Sequence, residues 1–225
     1  DAVDGYEQAV WLDPNDIGSQ RNHGIALDRL GRGDEALESL RKAVDKNPDD
    51  AQGLYFLGLA LERGQRWEDA SDYFRQAVER RPDYAEAHYH LGLMRERRGD
   101  KRAAVESFRQ ATMIQTDFAD AYLSLGNTYR ALEMPQDAAQ AYRQLARLRP
   151  DSAEAYIALG AVARDLGRDQ ESIERFRQAL RIRPNDARAH LELGTLYAKL
   201  GRPQEAVDSL GQAIRLDPRQ SAAYR

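Results

Sequence analysis

The sequence predicts an all-α solenoid of stacked antiparallel helix pairs, and three observations carry that prediction. Gly24, Gly58, Gly92, Gly126, Gly160 and Gly194 recur at a constant interval of 34 residues. Proline keeps the same period at Pro14, Pro48, Pro82, Pro150, Pro184 and Pro218, with Thr116 where the series lapses. Between these marks the apolar residues follow helical rather than alternating spacing. A fixed period of this length is the mark of a repeat array, in which each unit buries its apolar face only against its neighbours.

Further columns fill in each unit. Ala36, Ala70, Ala104, Ala138 and Ala206 share one position, with Ser172 as the exception. Ala9, Ala43, Ala77, Ala111, Ala179 and Ala213 share another, interrupted by Leu145. A bulky column reads Tyr6, Leu40, Phe74, Phe108, Tyr142, Phe176 and Leu210. In residues 153–186, Tyr156, Leu159, Gly160 and Ala163 stand at i, i+3, i+4 and i+7 and define a first helix. A turn follows at Leu166, Gly167 and Arg168. Ser172, Phe176 and Ala179 then define a second helix, which ends before Pro184 because proline has no N–H to give. The glycine and alanine columns let two backbones approach, and the bulky column fills the space beyond.

Composition narrows the function classes. The 225 residues contain no cysteine, so disulfide and thiolate chemistry are excluded. No apolar run is long enough to span a bilayer, and no membrane insertion is expected. The chain opens at Asp1 without a leader pattern, which leaves a removed targeting segment open and the compartment undecided between cytoplasm and periplasm. Residues 1–50 carry twelve acids and six bases, a net of −6 within a total of −4, so the remainder is near +2. Such a distribution lacks the concentrated basic footprint of a nucleic-acid surface. Neither a phosphate loop nor an HExxH motif nor a nucleophile elbow is present, and no enzymatic activity, metal or cofactor is expected.

The pattern of aromatic, Leu-Gly, Tyr, Ala, Phe, Ala and Pro, nearly complete in AYIALGAVARDLGRDQESIERFRQALRIRPND and AHLELGTLYAKLGRPQEAVDSLGQAIRLDP, resembles the tetratricopeptide repeat. The resemblance covers almost the whole chain. It implies a single right-handed superhelical domain over 1–225, with full repeats at 17–50, 51–84, 85–118, 119–152, 153–186 and 187–220. Residues 1–16 match only a second helix and residues 221–225 the start of a further first helix, so the chain is expected to be an excerpt of a longer one. Where Thr116 replaces proline between the third and fourth repeats, the pitch is expected to deviate.

Repeat registration also settles how the histidines in AHYHLGL divide. Residues two apart on a helix are separated by about 200°, so His88 and His90 cannot share a metal ion. His88 falls at the core position that Tyr122, Tyr156 and His190 occupy in their repeats, and His23 also falls at the core edge. Each buried imidazole needs a hydrogen-bond partner. His90 alone is expected to face away from the core.

The face of each first helix opposite its core holds the second, fifth, sixth, ninth, twelfth and thirteenth positions. In the family that face looks into a concave groove where peptide ligands usually lie. Candidate groove residues are Arg21 and Asn22 in repeat 1, accompanied by Ile25, Asp28 and Arg29. Repeat 2 contributes Tyr55, Phe56, Leu59 and Arg63, with Gln52 and Glu62, and repeat 3 contributes Tyr89, His90, Leu93 and Arg97. Repeat 4 adds Asn127 and Arg130. Tyr55, Phe56, Leu59, Tyr89, His90 and Leu93 form a candidate apolar patch; for Tyr55, Tyr89, Leu59 and Leu93 packing against the next repeat is an equal alternative. Phe56 and His90 are the stronger candidates for a free surface. An exposed Phe forgoes about 1.5–3 kcal/mol of burial unless something covers it.

The recurrent Arg29, Arg63 and Arg97 each follow an acid and read either as carboxylate ligands or as a solvated ion-pair rim. Trp67 reads as packing at a turn. Trp11 reads either as cover for a first helix or as a contact between molecules. The chaperone-binding carboxylate clamp of this family is not matched, since Asn127 stands between Leu123 and Ala158, and the asparagine ladder of sugar-transferase arrays is not matched beyond Asn22. The expectation is therefore a non-catalytic scaffold whose partner is another protein, a peptide or helix in the groove. A self-assembling module joined end to end into a homo-oligomer, and a recruiting arm of a larger enzyme, stand as alternatives.

Overall fold

The computed structural model describes residues 2–13 and 15–219. Pro14 of the proline column and the further first helix expected at 221–225 lie outside the described residues. Among those described, thirteen helices follow one another without a strand. They are α1 (Ala2–Leu12), α2 (Ile17–Arg29), α3 (Gly33–Lys46), α4 (Ala51–Arg63), α5 (Trp67–Arg80), α6 (Ala85–Arg97), α7 (Lys101–Ile114), α8 (Ala119–Ala131), α9 (Pro135–Leu148), α10 (Ala153–Asp165), α11 (Asp169–Ile182), α12 (Ala187–Lys199) and α13 (Pro203–Leu216). The all-α solenoid class expected from the 34-residue period is thus the observed one. The chain divides into two compact units, Asp1–Thr116 and Asp117–Arg225, at the junction where the proline column lapses.

Local chemistry sets each boundary. First helices start after an acid or serine whose side chain accepts a backbone N–H: Asp16 from Gly18, Asp50 from Gln52, Ser152 from Ala155 and Asp186 from Ala189. Tyr84 and Phe118 stand at the same position before α6 and α8 and make no such cap. Each first helix ends in a turn whose fifteenth repeat position has positive φ. Gly31, Gly99, Gly167 and Gly201 occupy it in four repeats, and Gln65 and Glu133, both at φ 58°, in the other two. The N–H of the following residue reaches back to the helix, as in Arg66 N to Leu61 O and Met134 N to Tyr129 O, both 2.9 Å.

The glycine column meets the bulky column inside every hairpin. A Cβ built on Gly58, Gly92, Gly126 or Gly160 would lie 2.5–2.7 Å from the ring of Phe74, Phe108, Tyr142 or Phe176. Phe74, Phe108 and Phe176 are fully buried, as are Ala36, Ala70, Ala104 and Ala138. Ser172, the exception in that alanine column, is buried and donates its hydroxyl to the Gly160 carbonyl at 2.7 Å. In the first unit the core runs from Leu40 through Leu54, Leu57 and Phe74 to Met94. In the second it runs from Tyr142 through Tyr156 and Phe176 to Tyr197.

Candidate functional site

In the first unit, α2, α4 and α6 supply the face on which most candidate residues were expected. The six-residue patch does come together, but much of it is packing. Tyr55, an open choice between groove and packing, is buried at 9% exposure. Its ring lies 4.8 Å from Tyr84, 5.9 Å from Phe74 and 5.3 Å from Phe56. Burial pushes its phenol well above the ordinary range. Tyr84 closes this cage because it replaces the capping acid, and the Arg81 guanidinium lies 3.3 Å from its ring centre.

His90 corrects an expectation. Instead of a free imidazole facing a groove, it stacks on Phe74 at 5.2 Å, and its Nδ1 lies 2.8 Å from Glu62 Oε2. The cause is the stacking of repeats, which brings α6 onto the aromatic column of α5. Tyr89 is half-buried against Phe108 at 5.8 Å, and Leu59, Leu93 and Phe56 are partly buried against the same core. His88 lies apart from His90, its Nε2 2.9 Å from the Pro82 carbonyl oxygen, and burial lowers its pKa. His190 makes the same bond to Pro184, and His23 Nδ1 lies 3.2 Å from Ser39 Oγ. Every histidine therefore has the partner that partial burial demands.

The arginines are mostly engaged. Arg21 pairs with Asp50 at 2.7 Å, and Arg63 reaches the Asp28 carboxylate on the preceding first helix. The Arg97 guanidinium lies 3.9 Å from the Trp67 ring centre, which also accounts for Trp67. Arg29 differs. Its guanidinium has no ion-pair partner among the described residues, and it borders a cavity of about 570 Å³.

That cavity lies between α1, α2 and α4. Val3, Tyr6, Ile25, Ala26, Leu30 and Phe56 make its apolar surface, and Asn22, Arg29 and Gln52 its polar edge. Sequence reading placed Asn22, Ile25, Arg29, Gln52 and Phe56 on this side but missed α1. The signal was present, since Tyr6 belongs to the bulky column, and that column always meets a glycine-bearing helix. Trp11, on the other side of α1, is 79% exposed and borders a separate hollow of about 420 Å³ beside Leu27 and Lys42.

In the second unit the two remaining candidates have internal partners. Asn127 Oδ1 accepts the Tyr142 hydroxyl at 2.7 Å, and Arg130 pairs with Asp165 at 2.9 Å. Burial pushes the Tyr142 phenol up to about 12. Among the described residues no group of three His, Cys, Asp or Glu is placed to hold a metal ion, and no helix is long and apolar enough to cross a membrane.

A stack of antiparallel helical hairpins at a 34-residue period is the architecture of a helical-repeat protein. Family models of the tetratricopeptide repeat match residues 21–75 and 64–122, and 112–185 and 151–219, so the chain belongs to the tetratricopeptide repeat family. Proteins of this family are generally protein–protein interaction scaffolds, and the fold is typically non-catalytic. No curated protein matches the chain. Among solved structures it is similar to YrrB, a TPR protein with an unusual peptide-binding site, at 23% identity and a TM-score of 0.74, covering 84% of this chain and 97% of that one. It is also similar to MamA, at 24% identity and a TM-score of 0.69 with 74% and 97% covered. Pseudomonas aeruginosa pilF matches at 15% identity and a TM-score of 0.73, with 98% and 100% covered. At these identities the likeness is one of fold.

Proposed function

We propose that this chain is a non-catalytic scaffold that holds a peptide or helical segment of another protein on the first-helix face of its first unit. The observation that carries the reading is the cavity between α1, α2 and α4, where apolar side chains lie beside Arg29. Its volume lies in the range of ordinary ligand sites, about 300–1,000 Å³. An apolar side chain inserted beside Ile25 and Phe56 would gain burial, while Asn22, Gln52 and Arg29 would orient the backbone or a neighbouring carboxylate. A peptide-binding site in a protein of like fold is in keeping with this reading.

The test is the affinity for a natural partner of the doubly substituted chain Ile25→Ser, Phe56→Ala. Both side chains are only partly buried, so far-ultraviolet dichroism should stay unchanged while Kd rises about tenfold or more, roughly 1.4 kcal/mol. Unaltered affinity would remove the cavity from the interface. Light scattering across concentration separates this reading from end-to-end assembly, which needs growth in mass as concentration rises.

A further inference from the structure

Arg143 of α9 stands at a repeat position that Arg41, Arg75, Arg109 and Arg177 also occupy. Arg75 shows how such an arginine is held, since it pairs with Asp72 at 3.3 Å and with Glu79 at 2.9 Å, one turn to either side. In the fourth repeat Gln140 and Arg147 replace those two acids. Arg143 thus loses both counter-charges and gains a like charge one turn on, an arrangement that destabilises a helix. Neither Arg143 nor Arg147 has an ion-pair partner among the described residues.

A third guanidinium comes from the next repeat. Arg175 of α11 holds a position that elsewhere carries the buried small residues Ser39, Ser107 and Ala141. Its long side chain starts at the edge of the core, and its Nε is buried without a hydrogen-bond partner. Glu171 is the one acid within ion-pair reach among the described residues, at a long 3.9 Å. The three arginines border one hollow of about 240 Å³, together with Tyr156 and Leu159 of α10 and Gln178 of α11. In the following repeat Arg177 and Arg181 recur, but Ser209 stands where the third arginine would.

Tyr156 is an independent sign of a ligand. His88 and His190, at the same position of their repeats, each reach a proline carbonyl oxygen at 2.9 Å. Tyr156 lines the hollow at 8% exposure and makes no hydrogen bond with the described residues. A phenol so nearly buried calls for a partner.

We propose that the hollow between α9, α10 and α11 binds a phosphoryl group, carried by a small phosphate ester or by a phosphorylated side chain. The site lies in the second unit and is independent of the cavity at α1, α2 and α4. A phosphoryl group brings a charge of about −1.5 to −2 at neutral pH and three acceptor oxygens. Guanidinium forks match those oxygens pairwise, and the Tyr156 hydroxyl and Gln178 amide can donate to what remains. A carboxylate, with one charge and two oxygens, would leave most of these donors and two of the three cations uncompensated.

The probes are inorganic phosphate and two capped tripeptides, one with phosphoserine between glycines and one with glutamate there. Each is titrated against the whole chain while NMR follows the arginine side chains and the amides of α9, α10 and α11. Phosphate should shift the Arg143, Arg147 and Arg175 signals and saturate. Arg147→Glu, which rebuilds the pair that Arg75 makes with Glu79, should keep the melting temperature and weaken phosphate binding about tenfold or more. Arg143→Gln, at an exposed position, should weaken it likewise, and Tyr156→Phe several-fold. Arg181→Glu makes the same change of charge one repeat on and should leave affinity within about twofold. Tighter binding of the phosphoserine peptide than of phosphate would support a phosphorylated partner, and the reverse a small ester; either upholds the site. Shifts that never saturate, equal losses from Arg147→Glu and Arg181→Glu, or a glutamate peptide that binds as tightly as its phosphoserine counterpart would overturn it.

Discussion

Gly92 of α6 lies against the ring of Phe108 in α7, so close that a Cβ would come within 2.5 Å of the ring's Cε1. The ring is fully buried and cannot swing aside, so added volume must move a helix. The 34-residue glycine column is thus a spacing constraint between the two helices of a hairpin.

Gly92→Val should therefore destabilise the first unit by about 1–3 kcal/mol through overpacking. Gly33→Ala, where nothing lies within 4 Å of the new carbon, should have no such effect. Urea unfolding followed by the fluorescence of Trp67, which lies in the first unit, measures both.

Gln65 and Glu133 adopt a left-handed conformation that glycine supplies in the other four repeats. Side chains with a Cβ give up about 1–2 kcal/mol there, and glycine's extra chain entropy costs about 0.5–1 kcal/mol. Gln65→Gly and Glu133→Gly should each raise stability by up to about 1 kcal/mol, read as a higher urea midpoint at unchanged slope.

Burial lowers the pKa of His88 below the ordinary value of about 6.5. Above that value the imidazole is neutral in both states and its packing is fully kept. As pH falls through about 6.5 the unfolded chain takes a proton that the folded chain refuses, and stability declines until His88 protonates in the folded state as well. His88→Tyr, which installs the residue found at the equivalent Tyr122 and Tyr156, should lose less stability than the unaltered chain between about pH 7.5 and 5.5. Parallel losses would show that His88 does not couple folding to pH.

Tyr142 differs from Phe74, Phe108 and Phe176 by a hydroxyl that donates to Asn127. Asn127 is exposed and can turn to water once that bond is gone. Tyr142→Phe should accordingly cost no more than about 0.5–1.5 kcal/mol and remove a phenol that titrates near 12 in ultraviolet absorbance.

The fold was legible because a single constraint recurs. Close helix approach needs a small residue opposite a large one, and Gly58 with Phe74 or Gly160 with Phe176 write that pair into every repeat. The candidate site was legible only by side. A helical wheel places Tyr55 and His90 away from their own helix's core but says nothing about what the rest of the stack lays over them. Tyr84 and Glu62 do that here. Arg97 was misread for the same reason, since Trp67 comes from the start of another helix. The cavity at α1 was hidden because a helical pattern reports the contacts a residue can make within its own hairpin, and this cavity is lined from α1, α2 and α4 together.

Site-specific photocrosslinking in the cells of origin tests the central claim most directly. A photoreactive residue at Ile25, at the cavity, is compared with one at Met113, which is 67% exposed on α7. The interaction reading predicts a discrete protein adduct from Ile25 that Phe56→Ala diminishes and that Met113 does not form. Equal adducts from the two positions, or none from Ile25, would contradict it.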